Sequence, residues 1–167
     1  PAITRWVIPG WYCAGVTSAT LAAGAIYYIP IFVTETTTYT SVGIWVATLS
    51  AGNAVVRLYN WSNGLPSSLI AELATFDTGS TGVKNSDISQ VLNRGYYYLA
   101  IRCTGTPSLK GPDESLAVML PVPGIANTQG EEPHYVILAK IAAYADPAPA
   151  PDGISAPQWA VVQLREN

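Results

Sequence analysis

Apolar and polar residues alternate along most of this chain in short runs divided by Gly, Pro, Asn and Ser. A period of two marks strands that bury one face. Over residues 41–49, Val42, Ile44 and Val46 fall on one face. Residues 50–53, Ser-Ala-Gly-Asn, read as a short hairpin loop, and residues 54–60 as the partner strand. Residues 63–66, Asn-Gly-Leu-Pro, form a turn by residue chemistry, because Asn and Gly accept positive φ at little steric cost. Further strands are expected at 68–76, at 83–88 running on to Leu92, and at 96–103, where a run of Tyr with Ile101 gives the strongest β composition. Residues 77–82 and 93–95 are the loops between them. Earlier in the chain, 25–33 is a strand rich in Ile and Tyr. Its Pro30 belongs at an edge or a bulge, having no N–H to give the ladder. Residues 114–120 are a later candidate, and 134–145 are either a strand or, with their Ala and Leu, a short helix.

The C-terminus changes character. Residues 145–152 alternate Pro and Ala, the composition of a stiff, extended linker, and 158–164 read as one more strand. That strand has two readings: an arm that pairs with a neighbouring subunit, or an edge strand of the same sheet reached by a long crossover. Many short strands with a turn signal every ten residues or so predict an all-β, jelly-roll-like antiparallel β-sandwich with an extended C-terminal arm. The expected division is an N-terminal segment 1–21, a sandwich domain 22–145, and a Pro/Ala-rich linker with its arm strand over 146–167.

Composition narrows the functional classes. A chain of 167 residues suits one domain with a substantial core. It is 49% hydrophobic and only 11% charged, where an average soluble domain has about 25% charged residues. So few charges imply a neutral polar surface or faces buried against other chains, and assembly is the favoured of the two. The net charge is −3 with a pI near 4.9, and the eight basic residues are scattered. Nothing in that distribution could track a phosphate backbone, so nucleic acid is excluded as a partner. A polybasic segment for an anionic membrane surface is missing as well. The apolar stretch 21–33 contains Gly24 and Pro30 and is shorter than the roughly 20 residues that span a bilayer. Arg5 precedes an apolar region, but Pro9, Gly10, Trp11 and Gly15 break it up, which argues against a secretory signal. The start Pro1-Ala2 is what trimming of an initiator Met leaves, and the expectation is a complete, cytoplasmically made product. Cys13 and Cys103 form no disulfide framework and read as two small buried hydrophobes.

Catalytic groupings are absent from the sequence. His134, the only histidine, follows Glu131 and Glu132 but has no Ser or Cys elbow and no fellow metal ligands. No hydrolase, zincin, dinucleotide or P-loop pattern occurs. Asp77, Asp87, Asp113, Glu114, Asp146 and Asp152 mostly adjoin Gly, Pro or Ser, as solvated loop carboxylates do. Asp77 and Asp87 alone offer too few oxygens for Ca²⁺. The expectation is therefore no enzyme, no cofactor and no metal. Asn60-Trp61-Ser62 matches a glycosylation sequon, which matters only in a eukaryotic secretory setting. The aromatic set is more informative: five Trp and ten Tyr against two Phe. Trp and Tyr pair a large apolar face with a polar tip, which suits sugar stacking and protein interfaces alike. Trp6, Trp11, Trp61 and Trp159 divide between interface and core. Val161 or Val162 would join Trp159 in an arm contact.

A set of turns and core strands resembles a known module. In order they are Ile29-Pro30, Thr37-Thr38-Tyr39-Thr40-Ser41-Val42-Gly43, Val56-Arg57-Leu58-Tyr59, Asn63-Gly64-Leu65-Pro66, Gly79-Ser80-Thr81-Gly82 and Leu92-Asn93-Arg94-Gly95-Tyr96-Tyr97-Tyr98-Leu99-Ala100. Over residues 22–105 this resembles a β-sandwich module common in tailed-bacteriophage structural proteins, with Tyr98 where that pattern often has Trp. The resemblance implies a non-enzymatic protein of the virion surface. Two roles follow from it. One is a capsid decoration (cement) protein, a homotrimer bound to the major capsid protein and bridging neighbours with its arms. The other is a tail-fibre or receptor-binding module recognising host-surface glycans. The absence of a shaft segment and the C-terminal arm favour decoration.

Overall fold

The structure, a computed structural model, describes residues 5–13, 15–112, 117–119, 137–154 and 162–166. Every regular element within them is a strand. The N-terminal segment supplies β1 (Arg5–Val7), β2 (Trp11–Cys13) and β3 (Val16–Thr20). The central region runs through β4 (Ala25–Val33), β5 (Thr37–Thr48), β6 (Asn53–Ser62), β7 (Leu65–Asp77), β8 (Gly82–Leu92), β9 (Gly95–Cys103) and β10 (Ser108–Pro112). After it come β11 (Ala117–Met119), β12 (Leu138–Ile141), β13 (Gly153–Ile154) and β14 (Gln163–Glu166).

Eight of these strands make two antiparallel sheets of order β3-β10-β5-β8 and β4-β9-β6-β7. Packed face to face, with successive strands mostly changing sheet, they are the two interleaved Greek keys of a jelly roll. Alternation explains the core. Val42, Ile44 and Val46 of β5 meet Ile29, Ile31 and Val33 of β4, Val56 and Leu58 of β6, and Leu99 and Ile101 of β9, all at most 4% exposed. β4 is buried on both faces, as a near-continuous apolar run requires. Pro30 lies where β12 no longer flanks β4, since β12 pairs only with residues 25–28. There the N-terminal turn takes over: Phe32 N donates to the Pro9 carbonyl and Trp11 Nε1 to the Pro30 carbonyl. The missing Pro N–H therefore costs no ladder bond with β9.

The hairpin expected at residues 50–53 is corrected: β5 and β6 belong to different sheets, and the segment arches over the core between them. Gly52, at φ +137°, lets the arch fold tightly against Thr104 and Gly105. A second arch at 78–81 lies beside it. Thr78, fully buried, donates its N–H to the Gly52 carbonyl and shares its hydroxyl proton between the carbonyls of Ser50 and Gly52, at 2.8 and 2.9 Å. The turn at residues 63–66, by contrast, closes a true hairpin between β6 and β7. Asn63 and Gly64, at φ 50° and 82°, supply the two positive torsions of a type I′ turn.

The C-terminal part is docked on this frame. Of the strand expected at 158–164, residues 158–161 lie outside the described residues; the strand observed, β14, belongs to the chain's own sheet and is interior, with β5 on one side and β1 on the other. Val162 and Leu164 enter the core. Tyr144 and residues 145–149, the latter expected as part of a stiff linker, form a strap over the outer face of the second sheet. Tyr59 Oη donates to the Ala145 carbonyl, Tyr28 Oη to that of Pro149, and Tyr144 Oη to that of Val55. Ala148 N donates to the Ser67 carbonyl, and Asp146 Oδ1 accepts from Leu69 N. Beneath the strap a second apolar cluster of Ile26, Tyr28, Tyr59, Tyr98, Ala100 and Leu138 is closed off from water. The described part of 134–145 includes strand β12, not a helix, because its Leu138–Ile141 backbone pairs with the free edge of β4.

Candidate functional site

Among the described residues, the outer face of the first sheet has no such strap over it. On β5 the residues pointing away from the core are Gly43 and Trp45, opposite Asn85 and Val83 of β8. On its other side β5 changes partner along its length. β14 pairs with it up to Gly43, and β10 takes over at Val46. Between those two contacts the sheet forks, and among the described residues a stretch of β5 has no partner on that side. A cleft of about 610 Å³ opens at the fork.

Tryptophan walls this cleft. Trp45, 48% exposed, and Trp6, 38% exposed, line it together with Trp11. Trp6 reaches the site because β1 pairs with β14 in register Trp6↔Arg165, which turns it to the outer face. Its ring leans over Gly43: a Cβ built there would lie 3.0 and 3.2 Å from ring carbons of Trp6. The absent side chain at Gly43 is thus what lets the indole lie down as one wall. Trp11 arrives through the turn Ile8-Pro9-Gly10-Trp11, closed by Trp11 N donating to the Ile8 carbonyl, with Gly10 at φ 83° packed on Phe32. Its indole N–H is committed to the Pro30 carbonyl at 2.7 Å, so Trp11 is an anchored part of the lining.

Polar groups surround the aromatic walls. Asn85 and Gln163 line the cleft, both exposed, and among the described residues their side-chain amides make no hydrogen bond. The indole N–H groups of Trp6 and Trp45 are likewise unengaged among those residues. Lys110 lines the cleft with its ammonium 4.9 Å from the centre of the Trp45 ring, and the Arg165 guanidinium lies 5.9 Å from that of Trp6. Arg165 is held by Asp87 at 3.6 Å and donates to Thr40 Oγ1. Chemically this is a stacking and hydrogen-bonding surface. Among the described residues that line it, none is a nucleophile beside a base. Among the described residues no three His, Cys, Asp or Glu side chains gather as a metal site.

The residues singled out from sequence fall into separate places. Trp6 and Trp11 come together in the cleft. Trp61 lies on the opposite side of the sandwich, stacked on Tyr98 with ring centres 5.0 Å apart and planes 8° apart. Val162 is a wholly buried core residue, which removes it from any exposed contact. Trp159 and Val161 lie outside the described residues, as do His134, Glu131, Glu132, Asp113 and Glu114. Asp87 accepts a hydrogen bond from Ser41, and Asp77 accepts one from Gly79 N, so each already has a partner within the fold. Cys103 is a buried free thiol, and the side chain of Cys13 is outside the described set. Trp45 was missed, although the strand alternation carried the signal: it occupies the face opposite Val42, Ile44 and Val46. No family model, curated protein or solved structure matches this chain.

Proposed function

We propose that this chain is a non-enzymatic binding protein of a tailed-phage virion surface, and that its cleft recognises host-surface glycans. The observation that carries the glycan reading is the pair of part-exposed tryptophans, Trp6 and Trp45, lining one cleft with unengaged indole N–H groups and with the Asn85 and Gln163 amides beside them. Sugar rings have apolar C–H faces edged by hydroxyls. A Trp wall takes the face, and Asn85 and Gln163 are the kind of neutral groups that take the edge. The virion setting rests on the resemblance of residues 22–105. Decoration drew on the C-terminal strand as a bridging arm. In this chain that strand is interior to its own sheet, which weighs toward the receptor-binding role.

The test is binding of the isolated chain to an array of bacterial surface polysaccharides. Trp45→Ala and Trp6→Ala should each lower binding at least tenfold at unchanged melting temperature, as expected for aromatic anchors. Absence of any glycan binding, or binding indifferent to both changes, would refute the reading. A second reading, the homotrimeric cement protein, has its own support in Val16 and Val83. These sit at the cleft rim 65% and 64% exposed and extend an apolar strip that a protein surface could cover. In that case the chain would bind decoration-free capsids and raise their melting temperature.

A further inference from the structure

Among the described residues, Lys110 is the one formally charged residue that lines the cleft. Lys110 has no ion pair among the described residues, as is also true of Lys84, Arg94 and Arg102, whereas Arg5, Arg57, Lys140 and Arg165 each have one. Its register explains the placement. β10 runs antiparallel to β3 with Lys110↔Ser18, beyond the point where Leu109 pairs with Val46, and this brings the ammonium over the outward-facing Trp45. An ammonium held against a ring face and open to the cleft keeps its three N–H donors for a third group. This occurs on a chain whose net charge is −3, so the positive spot runs against the general field of the molecule.

We infer that the cleft takes an anionic glycan, with one sugar stacked on Trp45 and its acidic substituent paired with Lys110. This deepens the glycan reading and rests on it. The acidic substituent is a carboxylate, as on a uronic or ulosonic acid, or a phosphodiester. Both present an anionic oxygen to the same ammonium. A neutral sugar would leave Lys110 without a partner, and a cationic ligand would be repelled by it.

The probes are surface polysaccharides containing uronic acid, ulosonic acid or phosphodiester links, each printed beside its carboxyl-reduced or dephosphorylated form. The wild-type chain should prefer the acidic member of a pair by about tenfold, the scale of one charge-assisted hydrogen bond. Lys110→Met keeps the apolar stem and removes the charge. It should abolish that preference, so that the acidic and neutral members of a pair bind this variant alike, and Lys110→Arg should restore it. The preference should also shrink as salt is raised. Equal binding of both members of every pair, lost in Trp45→Ala but unchanged in Lys110→Met, would overturn the inference and leave the glycan reading standing. No binding to any member would refute both. Loss confined to the carboxyl-reduced or to the dephosphorylated arm identifies the anion.

Discussion

Raising the pH should unfold this protein through its tyrosines, and the size of the effect follows from where they lie. Tyr28, Tyr39 and Tyr98 are at most 1% exposed. Burial, reinforced by the Glu166 carboxylate, pushes the Tyr39 phenol up to about 12. Burial raises Tyr28 and Tyr98 further, with the neighbouring Tyr59 adding to the effect at Tyr28. An unfolded tyrosine ionises near pH 10. The folded state therefore holds these protons more tightly than the unfolded chain. Their contribution is complete below about pH 10 and is lost as pH rises through the folded values. Each such group removes about 1.4 kcal/mol per pH unit in that window, so Tyr39 alone accounts for about 3 kcal/mol by about pH 12. The three together remove about 4 kcal/mol per unit, against a typical total stability of about 5–15 kcal/mol. The same ionisation would break the Tyr28 hydrogen bond that pins the strap. Urea midpoints measured from about pH 8 to about pH 11 should be flat at first and then fall steeply. Tyrosinate absorbance should rise in one cooperative step together with loss of far-UV circular dichroism. A smooth tyrosinate titration centred near pH 10, with the dichroism intact, would refute the burial argument.

Three further outcomes follow from the same geometry. Gly43→Val should displace the Trp6 ring and press on the Lys84 carbonyl, 3.2 Å from the built Cβ; glycan binding should drop at least tenfold, with a stability cost of about 1–2 kcal/mol read from urea unfolding. Thr78→Val should cost about 1–3 kcal/mol, because the Ser50 carbonyl loses the hydroxyl donor while Gly52 keeps only the Thr78 N–H, and Thr78→Ser should recover most of it. Cys103, wholly buried and pushed up to about 12 by burial against the opposing pull of Arg102, should resist alkylation at neutral pH until denaturant is added, as peptide mapping would show.

Much of the local structure was legible because its causes are local. The Asn63-Gly64 pair predicts its turn, since few residues accept two successive positive torsions and those two do. The inward set Val42, Ile44 and Val46 could be read from alternation alone, and so, by complement, could the outward position of Trp45. Alternation is silent on which sheet the next strand joins. A hairpin and an arch both deliver the same apolar face to the same core, and so residues 50–53 could be taken for a hairpin when they bridge the two layers.

By itself, then, the sequence determined an all-β sandwich, its turns and its core faces, through residue chemistry acting over a few positions. Tertiary structure decided the rest. The Pro/Ala segment reads as a linker because nothing nearby engages it; it becomes a strap because the hydroxyls of Tyr28 and Tyr59, more than 80 residues away in sequence, accept it as a partner. The cleft likewise depends on β14 and β10 meeting the same side of β5 at different points along it and, among the described residues, leaving a gap between them. Trp6, Gly43, Trp45 and Lys110 become one site only at that fork, because the register of four strands, not any spacing along the chain, places their side chains on one face.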